Sequence, residues 1–173
     1  FGDGAVDEGV FYESLNFAAL KGLPIIFICE NNSYAIHTHQ LLRQPSANIC
    51  ERATALGIPA ERIKDDVLAL YQRVSAAVQT LRSGAAGPRF FECMTYRWKE
   101  HVGPNDDFQL GYRTLEEAAP WFANDQVMRL ARMLALKLRY AFFFIGNHFF
   151  KLVNVLRGDD FFLFFYLFPG KTL

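Results

Sequence analysis

The sequence predicts an α/β fold: a three-layer α/β/α sandwich with a mainly parallel sheet. Two observations predict it. The run Leu23–Cys29 is apolar at every position but Pro24 and is rich in β-branched and aromatic residues. A strand without alternation is covered on both faces, as in a parallel sheet between helices. Before it, Val10, Phe11, Ser14, Leu15 and Ala18 recur at helical spacing, and Gly22 supplies the stop. With Phe1 as the last residue of an earlier strand, these pieces form a strand–helix–strand crossover. Its two carboxyl-terminal strand ends carry Asp3 and the Asn31-Asn32 pair.

The elements follow in order. The segment from Tyr34 to Pro45 is polar and mixed and reads as a loop. Ser46 can cap a helix over Ala47–Leu56 that ends at Gly57, ahead of Ile58-Pro59. Asp65 or Asp66 caps the clearest helix of the chain, with Val67, Leu68, Leu70, Tyr71, Val74, Ala77, Val78 and Leu81 on one face and Gly84 closing it. Gly87-Pro88 turns the chain into a strand over Arg89–Thr95. Thr114-Leu-Glu-Glu117 is a capping box for a short helix limited by Pro120. Asn124-Asp125 caps another, striped by Val127, Leu130, Leu134 and Leu138. Residues 1–139 form the ligand-binding domain by this reading, and residues 140–173 a separate Phe-rich tail. Ten of the eighteen phenylalanines lie in Phe142–Phe168. That tail is either core packing or sequence foreign to the natural reading frame, and the second is the expectation.

Open α/β sheets bind ligands outside the carboxyl ends of their strands. Neighbouring strands lie roughly 4.8 Å apart, so Asp3 and Asn32 can converge on one small ion. A carboxylate with an uncharged amide oxygen suits Mg²⁺, a hard cation that completes its octahedron with water and phosphate oxygens. Gly2 and Gly4 let the backbone approach a phosphate, and the following helix points its amino end at the same place. Gly-Asp-Gly alone, or Asn-Asn alone, is an ordinary turn. The pair flanking one helix and one apolar strand is a far more specific signal.

Those residues carry a resemblance. Gly-Asp-Gly-Ala…Glu-Gly…Glu-Ser-Leu-Asn-x-Ala…Leu-Pro…Phe-Ile-Cys-Glu-Asn-Asn-x-Tyr-Ala-Ile resembles the thiamine diphosphate motif of 2-oxo acid dehydrogenases. It is most similar to the alpha subunit of their decarboxylating component, the family of pyruvate, branched-chain and acetoin dehydrogenases. The similarity runs through Phe1–Thr38 and returns over Gly87–Arg113, where Thr95-Tyr96-Arg97 precedes His101. The resemblance implies oxidative decarboxylation of a 2-oxo acid, with the acyl group passed to a lipoyl group on a partner acyltransferase. It implies thiamine diphosphate and Mg²⁺ as cofactors, with Asp3 and Asn32 as side-chain metal ligands and Tyr34 as a ligand through its carbonyl. Gly2, Asp3, Gly4, Ala5, Asn32 and Tyr34 are then the cofactor-binding set. It further implies that His101 reaches the active site and orients the reacting groups, a task suited to an imidazole. Where many members have Gly-His-Ser, this chain has Glu100-His101-Val102, so phosphorylation at that serine position is not expected.

The family's activating glutamate comes from a beta subunit, so Glu8, Glu13 and Glu30 are read as structural, and an alpha2beta2 heterotetramer is expected. His37 and His39 are read as loop histidines, and Asp106 and Asp107 as closing the His101 loop through backbone or Arg97. The family also has a portion before the motif, so the chain reads as a fragment that is inactive alone. Two alternatives stand beside this reading. One is another thiamine diphosphate enzyme, transketolase-like or decarboxylase-like, against which Thr95-Tyr96-Arg97 and His101 argue. The other is a non-catalytic remnant.

Composition excludes other classes. Eighteen basic residues balance eighteen acidic ones among 173, which gives no electrostatic footprint for nucleic acid or an anionic membrane. No apolar run reaches the roughly 18–20 residues a membrane helix needs. Cys29, Cys50 and Cys93 are odd in number and lack Cys-x-x-Cys, as reduced thiols of a cytoplasmic protein do, or of the mitochondrial matrix in a eukaryote.

Overall fold

The structure, a computed structural model, describes residues 1–84 and 87–145, with side chains through Leu138. The chain divides into two units, Phe1–Gln126 and Val127–Leu173. The first begins with a 3-10 turn, Asp3–Asp7, and helix α1, Gly9–Lys21. Helix α1 ends where Gly22 turns left-handed at φ 60° and donates its N–H to Ala18 and Ala19. Strand β1 follows at Ile26–Asn31, and two short strands, β2 (Tyr34–Ala35) and β3 (Thr38–His39), make an antiparallel hairpin. Then come α2 (Cys50–Ala55), β4 (Ala60–Ile63), α3 (Val67–Arg82), β5 (Arg89–Met94) and α4 (Leu115–Ala123).

The main sheet is parallel, in the order β1-β5-β4, with Cys29 opposite Glu92 and Ile63 opposite Cys93. On the far side of β1, Gly2 bridges in parallel to Glu30, and the Glu30 N–H donates to the Phe1 carbonyl at 2.8 Å. The expected crossover is therefore present. Both faces of the sheet are covered. On one, Phe11 and Leu15 of α1 and Cys50 and Ala53 of α2 pack with Cys29, Phe90 and Phe27. On the other, Leu70, Val74 and Ala77 of α3 pack with Ile26, Ile28, Phe91 and Cys93. This is the three-layer α/β/α arrangement. Complete burial of β1 does not hold, however: Ile26, Phe27 and Ile28 are half-buried and Ile25 is exposed. The strand begins later than the apolar run and extends through Glu30 and Asn31.

Two local expectations are corrected, and one pair of alternatives is decided. Helix α2 starts at Cys50 rather than Ala47, because the acceptor at its amino end is not Ser46 but Glu92 of β5, which takes the N–H groups of Ile49 and Cys50. Asp66, of the two candidates, caps α3 by accepting from Leu68 and Ala69 at 3.0 Å. Pro120 lies inside α4, which runs on to Ala123. Strand β4 was not anticipated. Helix α5 runs over Gln126–Ile145, and the second unit is described only over residues 127–145 of it; the Phe-rich blocks lie outside the described side chains. Among the described residues, no helix is long and apolar enough to cross a membrane.

Candidate functional site

Asp3 stands just past the short Phe1–Gly2 pairing, and Asn31-Asn32 close the neighbouring β1. The structure thus brings both predicted strand ends to one edge of the sheet. Asp3 is almost fully buried, at 1% exposure, and a charge there needs partners. It has Arg43, whose Nη2 donates to Asp3 Oδ2 at 2.5 Å and whose Nη1 donates to Asp7. Gln44 Nε2 splints the same turn, donating to the Asp3 carbonyl at 3.1 Å and to Asp7 Oδ1 at 2.7 Å.

Gln44 begins a buried relay. Its Oε1 accepts from Gln40 Nε2 at 2.8 Å, Gln40 Oε1 accepts from Asn31 Nδ2 at 3.1 Å, and Asn31 Nδ2 also donates to Glu92 at 2.7 Å. Glu92, wholly buried, takes Arg62 at 3.0 Å and the two amides that open α2. Five polar side chains thus lock the Asp3 turn, the end of β1 and the start of α2 together. The sequence reading missed Gln40, Arg43, Gln44, Arg62 and Glu92. Gln40–Gln44 lay in a stretch read as a polar loop, and the one available signal was two glutamines at helical spacing.

Beyond β1 the backbone is shaped by Asx turns. Asn31 Oδ1 accepts from Ser33 N at 2.8 Å, and Asn32 Oδ1 from Tyr34 N at 2.9 Å. Ser33 and Ile36 sit at φ 66° and 55°, uncommon for any side chain and costly for a β-branched one. Gly4 explains part of this geometry. A Cβ there would meet the Ala35 Cβ at 2.9 Å and approach Arg43 Nη1 to 4.0 Å. Its lack of a side chain thus admits the hairpin, whereas a Cβ at Gly2 would meet only the Glu30 carbonyl, at 3.9 Å.

Asp3, Asn32 and the Tyr34 carbonyl would together offer only oxygen donors, one of them a carboxylate, the chemistry that suits a hard divalent cation. Arg43 uses one Asp3 oxygen and Tyr34 N one lone pair of Asn32, and both acceptors have capacity left. No group of three or more His, Cys, Asp or Glu side chains able to hold a metal exists among the described residues. The cysteines supply no nucleophile: all three are buried and free. Burial, with Glu92 nearby, pushes the Cys50 thiol up to about 12 and raises those of Cys29 and Cys93.

His101 lies elsewhere, on an exposed loop tip. The neck of that loop is tightly built. Arg113, 2% exposed, donates to Asp107 Oδ1 from Nε at 2.8 Å and from Nη2 at 2.5 Å, and reaches the carbonyls of Arg97 and Lys99. Arg97 and the Tyr112 hydroxyl donate to the other Asp107 oxygen. Burial pushes the Asp107 carboxyl up, but hydrogen bonds from Tyr112 and Arg113 and the charges of Arg113 and Arg97 outweigh it and hold the group below its usual range. Asp106 pairs with Lys99 at 2.8 Å. Asp107 thus closes the loop through Arg97, as expected, whereas the Asp106 carboxylate does so through Lys99 rather than through backbone or Arg97.

The neck rests on the β2–β3 hairpin that follows β1. Arg97 Nη1 donates to the Ile36 carbonyl at 3.0 Å, and the rings of His37 and Tyr34 pack on Tyr112 at 4.5 and 5.5 Å. Tyr34 donates its hydroxyl proton to Glu117 at 2.8 Å, and burial followed by that bond raises its pKa. The two predicted regions are therefore coupled through β2–β3, although the His101 side chain itself makes no contact that ties it to Asp3 or Asn32.

A family profile described as dehydrogenase E1 component matches residues 1–137. The pyruvate dehydrogenase E1 component subunit alpha of Staphylococcus aureus is 38% identical over 137 residues, covering 79% of this chain and 36% of that protein. Its counterpart from Staphylococcus epidermidis is 36% identical over the same shares. The chain therefore spans only 36% of the length of the curated relatives it matches. Among solved structures, transketolase from Campylobacter jejuni aligns with 53% of this chain and 14% of its own at 23% identity, with a TM-score of 0.45.

Proposed function

Because the chain belongs to the dehydrogenase E1 component family, we propose that it is the diphosphate- and metal-binding part of an alpha subunit that decarboxylates a 2-oxo acid. Pyruvate is the substrate in the names of its relatives. The acyl group is transferred to a lipoyl group of a partner acyltransferase, and a beta subunit completes the site in an alpha2beta2 assembly. The observation that supports this best is the buried Asp3, held at the carboxyl edge of the sheet beside the end of β1.

In this reading Asp3, Asn32 and the Tyr34 carbonyl hold Mg²⁺, while Gly2, Gly4 and Ala5 lie against the diphosphate. Thiamine diphosphate, when bound, supplies the carbanion-stabilising chemistry. The chain's part is to bind and orient. The Asx turn at Asn32 fixes the Tyr34 backbone, and the Gln44–Gln40–Asn31 relay keeps the two strand ends from shifting. His101, at the loop tip, positions the reacting groups and exchanges a proton at its imidazole.

The test is cofactor binding by calorimetry, using the full-length alpha subunit with its beta subunit. Asp3→Asn should abolish Mg²⁺-dependent binding of thiamine diphosphate while the circular dichroism spectrum keeps its native form. Unchanged affinity in that variant would remove Asp3 from the site and the reading with it.

A further inference from the structure

Arg43 is not among the residues expected at the site, yet it holds the one carboxylate that the metal needs. Its guanidinium forks across Asp3 and Asp7, its Nε donates to the Thr38 carbonyl at 3.3 Å, and its side chain is 14% exposed. It also lies against the Gly-Asp-Gly turn, with Nη1 4.0 Å from where a Gly4 Cβ would stand. Two carboxylates thus share a single cationic group.

We propose that Arg43 is a positioning residue that neutralises Asp3 while no metal is bound and withdraws onto Asp7 when a divalent cation takes the Asp3 carboxylate. This rests on the assignment of Asp3 as a metal ligand. A divalent ion sits ~2.1 Å from its ligand oxygen, and the guanidinium is 2.5 Å from the same carboxylate. Both together on one buried carboxylate crowd two positive groups where solvent screening is weak. Arg43 has somewhere to go, since Asp7 and the Thr38 carbonyl already receive its other N–H groups. Gln44 ties the Asp3 carbonyl to Asp7 Oδ1, so the spacing of the two acids survives the exchange. Arg43 therefore weakens cation binding but keeps the site ordered and charge-balanced beforehand.

The experiment measures Mn²⁺ affinity, from the electron paramagnetic resonance signal of the free ion, with the full-length alpha subunit and its beta subunit at saturating thiamine diphosphate. Arg43→Gln should bind Mn²⁺ roughly tenfold more tightly or better, the scale on which a neighbouring charge shifts ionic equilibria. Asp7→Asn should bind it more weakly, because Arg43 then has only Asp3. In the Arg43→Gln background the effect of Asp7→Asn should largely vanish. Unchanged or weaker binding by Arg43→Gln, with binding still abolished by Asp3→Asn, overturns this inference and leaves the metal site standing. Retained binding in Asp3→Asn, or no Mn²⁺ uptake by the unsubstituted assembly, overturns the site assignment and this inference together. If Arg43→Gln does not fold, Arg43→Lys, which cannot span both acids, should show a smaller tightening, and weaker or unchanged binding there overturns the inference equally.

Discussion

Replacing Glu92 by Gln changes one atom in a fully buried side chain and should cost a large share of the chain's stability. Four donors converge on this carboxylate: Asn31 and Arg62 on Oε1 at 2.7 and 3.0 Å, and the Ile49 and Cys50 amides on Oε2 at 3.1 and 3.3 Å. In Glu92→Gln one oxygen becomes an NH2 group, so in either orientation two donors face a donor. Each buried N–H left without an acceptor costs ~1–3 kcal/mol. Arg62 is one-third exposed, so water recovers part of its loss and the amide settles with its NH2 towards that side. The expected cost is then about 2–4 kcal/mol, against a total of only ~5–15 kcal/mol. The assay is urea unfolding followed by circular dichroism, with Glu51→Gln as control. Glu51 accepts from Ser46 and Asn48 at the surface, and its loss should stay within about 0.5 kcal/mol. A Glu92→Gln cost below about 1 kcal/mol would refute the idea that this carboxylate is the hub joining β1, β4, β5 and α2.

Three further outcomes are expected. Asp107 has a folded carboxyl pKa below its unfolded value of about 3.9, so its stabilisation is complete above that value and is lost as pH falls through the lowered one. Unfolding free energy should therefore drop more steeply below about pH 4 in the unsubstituted chain than in Asp107→Asn, and parallel acid limbs would contradict this. Gly4→Ala should destabilise by about 1–3 kcal/mol through the clash with Ala35, and Ala35→Gly in the same chain should restore most of it in thermal unfolding. In a reconstituted full-length alpha–beta assembly, His101→Ala should slow turnover by roughly 10²–10⁴-fold with cofactor affinity little changed; wild-type turnover would end the catalytic reading of that residue.

What could be read in the sequence was what neighbouring residues determine. The apolar run ending at Cys29, the Gly22 stop, the Asp66 cap and the stripe of α3 are all local patterns, and each has its element. Strand β4 was missed because Glu61 and Arg62 occupy its middle, and charges suit a strand that pairs on one side only. The true start of α2 depends on Glu92, which is 42 residues away from Cys50 in sequence, so no window around Ser46 could reveal it. The same holds for the site. Asp3, Asn32 and Tyr34 stand out by motif, whereas Arg43, Gln40 and Gln44 acquire meaning only once the chain folds back on the Asp3 turn. Polar residues in a loop look solvated until a partner is seen, and Gln40 proves to be 1% exposed.

The neck below His101 has a consequence for how that loop can change. Arg113 bonds the Arg97 carbonyl across 16 positions, so the ends are pinned before the tip does anything. With the ends fixed, the entropy of the intervening chain grows only logarithmically with its length, and doubling it costs about 0.6 kcal/mol. Residues between Glu100 and Asn105 can thus be lengthened, shortened or exchanged with little effect on the Ile36 carbonyl or the Tyr34 ring beneath. The tip is free to be tuned to a substrate or a partner, while the turns at Asp3 and Asn32, just past the strand ends, are insulated from the change.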